Sequence, residues 1–513
     1  DMTSLFEGCS SVTRLDVSQF DTSKVTSMAK MFAEVKVKTL DLTNFNTEKV
    51  KDMSYLFYKC TALTSADFSK FDTSLVTNMQ SMFSDTAFKS LDLSSFNTKN
   101  VVNMNSMFQG IYYLRSLDVS KFDTSQVTDM FKMFDSCSLL EKLEITNFRT
   151  EKVLDMGSMF RTCYTLTSLD LSSFDTRNVK DMYAMFDGDS GLQSLDVTNF
   201  VTSNVRDMST MFGQCKGFTT LNLKSFDASS VTDFSNMFTN CNKLESLDLS
   251  SFRPKEGTLF VSMFMYTGLK RINLDNFNTE NAIDMTEMFG GSASLESLDL
   301  SSFNTKNVQS MEGMFADLHD AAGFDLSSFE TPRLVNLKNL FIGCRSATSI
   351  KLPKFDTSQV ETMENMFYGC RLLQSLDLSS FNTQNVINMK DMFSECYALT
   401  SLNLGRNFDT SKVTNMDSMF KQCRSLTSLD VSSFKTGNAV SMGNMFFNCS
   451  SLRSLDVSGF DVSKTTALAS AFGSCKNIKY LDVSKFNTKN VKYMNQLFSD
   501  CTSLESIDIS SFD

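Results

Sequence analysis

Apolar and polar residues follow one phrase along the chain, and the phrase restarts with a period of about 26 residues, within the range of known structural repeats. In one copy, Leu169 and Leu171 alternate with Ser168, Asp170 and Ser172. Period two of this kind predicts a short strand with its leucines inward. Phe174, Asp175 and Thr176 follow, and then Val179, Met182, Met185 and Phe186 at i, i+3, i+6 and i+7. That spacing predicts the apolar face of a short helix. From Leu15 to Ile507, fifteen of the nineteen intervals between strand starts share this one length, three are shorter by a single residue and one is longer by a single residue. A fixed period in this range denotes stacked supersecondary units. The expected fold is an α/β solenoid of about 20 turns of 26 residues with one short parallel strand and one short helix per turn.

Phenylalanine tests this template. One Phe follows the strand in every copy, from Phe20 to Phe512, and another ends the expected helix, from Phe6 to Phe498, so 40 of the 48 Phe fall in two columns. Two aromatic columns should line the core, with the Met beside them filling irregular space. The length changes fall in connections. The short copies lose a residue between Phe32 and Val37, Phe83 and Phe88, and Phe264 and Leu269, and the long copy gains one near Leu404 and Gly405. The segment Arg253-Pro254-Lys255-Glu256-Gly257 is the most irregular and is expected to mark a local bend.

Because each turn of a solenoid touches only its neighbours, 513 residues need not split into globular domains. The expected organisation is one continuous domain, residues 1–513. The chain starts and stops inside a repeat, so it reads as a fragment without terminal caps, or as a unit that stacks head to tail into a filament. A net charge of −11 with no basic run argues against nucleic acid as a partner. Apolar stretches of a few residues predict no transmembrane segment.

The phrase Met-Phe-x-x-Cys-x-x-Leu-x-x-Leu-Asp-Leu-Ser-x-Phe-Asp-Thr resembles the bacterial surface-protein 26-residue repeat of mycoplasma- and Listeria-type surface lipoproteins. It is also similar to BspA-like leucine-rich repeats, through the aromatic-x-x-Cys-x-x-Leu step seen at Phe367, Cys370 and Leu373. The resemblance spans the whole chain. It implies a right-handed leucine-rich-repeat-like coil, extracellular or on a cell surface, engaged in adhesion, and it carries over no catalytic residue.

The outward middle residue of the strand is the candidate binding position. It is Asp in fifteen copies: Asp16, Asp41, Asp67, Asp92, Asp118, Asp170, Asp196, Asp248, Asp299, Asp325, Asp377, Asp430, Asp456, Asp482 and Asp508. Glu144, Asn222, Asn273, Asn403 and Lys351 fill the others. Carboxylates stacked about 4.8 Å apart repel and raise one another's pKa. Either Ca²⁺ offsets this, since hard cations take carboxylate and hydroxyl oxygens, or the flanking Ser hydroxyls and water do. One Asp per rung falls short of six to eight oxygens, which favours the second reading and no cofactor. The acidic, concave strand face lacks Trp and nearly lacks Tyr, so it suits many weak polar contacts with a protein or glycan surface ligand.

All thirteen Cys sit three residues after the second Phe, a phase that fits small buried free thiols better than a disulfide ladder. Thr stands two residues after the first Phe in sixteen of nineteen complete turns and reads as a helix N-cap. With His319 as the only His and no non-repeating cluster of acid, base and nucleophile, the chain is expected not to be an enzyme. The leading expectation is a non-enzymatic surface or adhesion protein. A structural filament and a Ca²⁺-binding ladder are the alternatives.

Overall fold

The computed structural model describes all 513 residues. They form two compact units, Asp1–Glu256 and Gly257–Asp513. The division falls inside the irregular segment Arg253 to Gly257. Each unit is a β-solenoid with no helix, so the expected α/β coil with a helix in every turn is corrected.

The predicted strands are present at several coils and pair in parallel, in register. In the first unit Thr39–Leu40 pairs with Ser65–Ala66, and Ser116–Asp118 pairs with Lys142–Glu144, setting Leu117 beside Leu143. In the second unit Gly323–Asp325 pairs with Ser349–Lys351, and Ser375–Asp377 with Ser401–Asn403. Register is fixed because a slip of one residue would turn every leucine outward.

The segment expected to be helical is a second parallel ladder. Single bridges link Ser27, Asp52, Asn78 and their successors to Asp233 in the first unit, and Asp284 to Tyr493 in the second. Between Met156 and Cys163 alternate residues reach the next coil: Met156 N–H donates to the Asp181 carbonyl (3.1 Å), Ser158 to Tyr183 (2.6 Å), Phe160 to Met185 (3.0 Å) and Thr162 to Asp187 (2.7 Å). The residues between them close tight turns within the coil, Met159 to the Met156 carbonyl (3.2 Å) and Cys163 to that of Phe160 (3.3 Å). Ser158 and Thr162 take left-handed φ of 54° and 60° to do this. An α-helix would spend the same N–H groups on the residue four back. Val153, Met156, Met159 and Phe160 are fully buried all the same. The apolar spacing thus reports which side chains face inward, and two consecutive turns deliver them there.

Phenylalanine rings stack down each unit as expected. Phe134, Phe160 and Phe186 lie 5.7 Å apart with planes 6–7° from parallel. Phe148 and Phe174 of the other column are 6.3 Å apart.

The Thr column has a different task from the one expected. Thr22 and its counterparts are buried, and there is no helix to cap. Each hydroxyl clasps the next coil: Thr176 Oγ1 donates to the Val201 carbonyl (2.9 Å) and accepts the Val201 N–H (2.8 Å). Fifteen Thr make the first of these bonds. The column is interrupted by Ala228 and Pro254, which carry no hydroxyl, immediately before the division at Glu256.

Candidate functional site

Most coils turn at polar corners built alike. In one coil the Oδ1 atoms of Asp170, Asp175 and Asp181 each accept the N–H two residues ahead, from Ser172 (2.9 Å), Arg177 (3.2 Å) and Tyr183 (2.8 Å). A short carboxylate or amide is suited to this because it reaches its own backbone. The strand Asp are the first of these corners.

All fifteen candidate residues make the same bond, with Oδ1 2.9–3.1 Å from the N–H two residues on. Fourteen side chains are exposed and Asp248 is half-buried. The repulsion between rungs is offset, as the favoured reading has it, by the flanking hydroxyls. The hydroxyl and backbone N–H of the Ser or Thr two ahead hold Asp16, Asp170, Asp430 and Asp482 below the ordinary carboxylate range. At Asp41 the charges of Asp16 and Asp67 push the other way and are outweighed. Asp325 falls to about 2, through Ser327 first and then Lys351, whose Nζ lies 2.9 Å away. The exceptions in the column relieve it locally: Lys351 pairs with Asp325, and Asn403 Nδ2 donates to Asp377 (2.9 Å). No group of three His, Cys, Asp or Glu side chains converges as metal ligands would. The ladder is therefore a row of outward anions, each fixed by its own turn.

The Cys column lies inside. All thirteen thiols are free, and twelve donate to the carbonyl of the second Phe on the preceding coil, at 2.9–3.3 Å. Burial pushes Cys60, Cys241 and Cys396 up to about 12, which makes them unreactive.

Asp189 occupies a Cys slot and is fully buried. Its Oδ1 accepts the Cys163 N–H (2.8 Å), while Oδ2 has no partner. Burial raises its carboxyl well above the ordinary value. The folded chain therefore holds a proton there that the unfolded chain releases, and stability falls as pH climbs from the ordinary carboxylate range to the raised value. Asp189→Cys should stabilise the protein by about 1–3 kcal/mol at neutral pH. The difference in melting temperature should shrink on acidification. The exposed ladder titrates with opposite sign, losing stability as pH falls below the ordinary range, but both proteins share it. A difference that widens on acidification would contradict this account.

Sequence reasoning missed an open cleft of about 650 Å³ in the first unit, lined by Glu34, Lys36, Lys59, Asp85, Tyr112 and Tyr113. Two of the three shortened connections contribute to it, and these, with the adjacent Tyr112 and Tyr113, are its sequence signals.

Coils, columns and corners together define a solenoid repeat protein. The chain belongs to the family described as "Mycoplasma protein of unknown function, DUF285", whose model matches residues 1–116, 111–194, 190–270, 262–351, 335–455 and 440–513. No curated protein matches it. Among solved structures it is similar to a leucine-rich repeat protein from Bacteroides ovatus, with 18% identity over 65% of this chain and 82% of that one and a TM-score of 0.34. The functional domain of InlJ from Listeria monocytogenes, which includes a cysteine ladder, gives 16% identity, 74% and 66% coverage and a TM-score of 0.31. A leucine-rich repeat protein from Eubacterium ventriosum gives 13%, 71% and 83%, and 0.32. No helix of the protein is long and apolar enough to cross a membrane.

Proposed function

We propose that the protein is a non-enzymatic extracellular or cell-surface repeat protein, and that its strand Asp ladder makes many weak contacts with a protein or glycan surface. The observation carrying this reading is the repetition of one outward carboxylate with one geometry. Packing does not require the negative charge. Asn222, Asn273 and Asn403 make the same turn bond through Oδ1 to the N–H two ahead. Identical weak sites at fixed spacing gain avidity from number.

The same three Asn supply the test. Asp→Asn changes at increasing numbers of the fifteen positions should leave the protein folded, because Asn keeps the turn bond, with a melting temperature that declines gradually as the charge-assisted bonds are lost. Retention of the protein on a cell layer or matrix-coated surface should fall steeply with the number changed. Undiminished retention by a folded variant lacking all fifteen carboxylates would overturn the assignment to this face.

A further inference from the structure

The residue after the Cys slot starts the connection back to the strand. In the second unit it is Arg345, Arg371, Tyr397 and Arg424 on four successive coils, within a chain of net charge −11. The guanidiniums of Arg371 and Arg424, from the coils on either side, lie 5.3 and 4.6 Å from the centre of the Tyr397 ring. Stacking of this kind fixes both cations without neutralising them. Glu395 ties the group from within: it accepts the hydroxyls of Tyr397 (2.8 Å) and Tyr368 (3.1 Å) and Nη2 of Arg371 (3.0 Å). Its carboxylate is thereby engaged by three donors. Arg345 and Arg424 are exposed, Arg424 holding a single side-chain acceptor in Gln422 Oε1 (2.6 Å from Nη2), and Nη2 is the one nitrogen of Arg371 with an acceptor. Leu372, beside Arg371, is 51% exposed.

From this arrangement we propose that the edge around Tyr397 binds an acidic segment of another protein, with carboxylates on Arg345 and Arg424 and an apolar side chain on Leu372. Arginine and tyrosine held rigid before binding are the residues that dominate protein interfaces. Guanidiniums recognise carboxylates through paired N–H donors. An acidic sugar polymer fits less well, because a sugar ring needs an open aromatic face and both neighbours of Tyr397 already cover its ring. The site is compact and lies apart from the strand ladder, so it goes beyond the repeated weak contacts proposed above.

The test is fluorescence anisotropy of the whole protein with a labelled peptide of mixed Glu and Leu, against a Lys/Leu peptide of equal length. The Glu/Leu peptide should bind, more tightly at low salt, and the Lys/Leu peptide should not. Arg345→Ala with Arg424→Ala should weaken binding about tenfold or more without changing the melting temperature. The strand change Asp377→Asn should leave it unaltered, so failure here and failure of the ladder reading are separable. Equal binding of both peptides, or undiminished binding by the double variant, would overturn the proposal. So would polygalacturonate binding that the double variant loses while the peptide does not bind, or salt-sensitive self-association in sedimentation that the same variant abolishes.

Discussion

Changing Thr150, Thr176 and Thr202 together to Val is expected to destabilise the first unit by about 3–6 kcal/mol, the cost of leaving buried hydrogen-bonding groups unmade at three sites. Each hydroxyl donates to a carbonyl of the next coil, at Asp175 (2.9 Å), Val201 (2.9 Å) and Asp227 (3.0 Å), and accepts the N–H of the same residue at 2.8 Å. Valine keeps the shape and removes all six bonds. The three Thr are buried, so their backbone partners face a methyl group in place of a hydroxyl. Leaving such partners unmade costs roughly 1–3 kcal/mol per site, and neighbouring sites need not add. The measurement is the denaturant midpoint together with amide exchange at Asp175, Val201 and Asp227, whose protection should drop first. The matching triple change to Ser keeps the hydroxyls and should retain most of the stability. A Val triple as stable and as protected as the parent would refute the clasp. A single gap occurs naturally at Val462, and a double one at Ala228 and Pro254, so the triple is the informative variant.

The clasp also shows where the sequence could be read and where it misled. Inward Leu, Phe and Cys were legible because they recur in fixed phase, and period two leaves a strand little choice of face. The helix was a misreading of a sound observation. Val179, Met182, Met185 and Phe186 do point inward, but i, i+3, i+6, i+7 spacing also arises from consecutive turns that return to the core. The contrary signal was present. The residue before the Cys slot is Gly8, Gly110, Gly188, Gly291, Gly343 and Gly369 in some copies and Asn240 and Asn448 in others, residues that favour positive φ and disfavour helix interiors. All of them have positive φ in the structure. Once a helix was assumed, Thr became its cap, and the inter-coil role was hidden. The acidic ladder was legible as a position, and so was the offset by its flanking hydroxyls: the Ser or Thr two residues on supplies both an N–H and a hydroxyl to the same carboxylate, at shorter range than the next rung. The Arg and Tyr cluster near Tyr397 was not legible because its slot varies from copy to copy, as at Ser10, Thr61, Ser138 and Lys476, so no repeating column marks it.

Phe160→Ala should cost about 3–5 kcal/mol, the most of any single change considered. Its ring is fully buried and stacked on Phe134 and Phe186 at 5.7 Å, and it touches Phe174 of the other column at 6.4 Å. Removing it leaves a cavity bounded by three rings whose positions are set by backbone bonds to the coils above and below. Collapse would have to break those bonds, so little relaxation is available to lower the cost. Phe160→Leu keeps apolar atoms in the slot and should lose less. Leu154→Ala, at a side chain 44% exposed on the same coil, should lose well under about 1 kcal/mol. In a solenoid each coil is supported only by its neighbours. The Ala variant should therefore lose amide protection first in the coils holding Phe134, Phe160 and Phe186, with distant coils following at higher denaturant. A loss no greater than that of Leu154→Ala, or one spread evenly over the chain from the start, would mean that the aromatic column does not carry the stability of the coil.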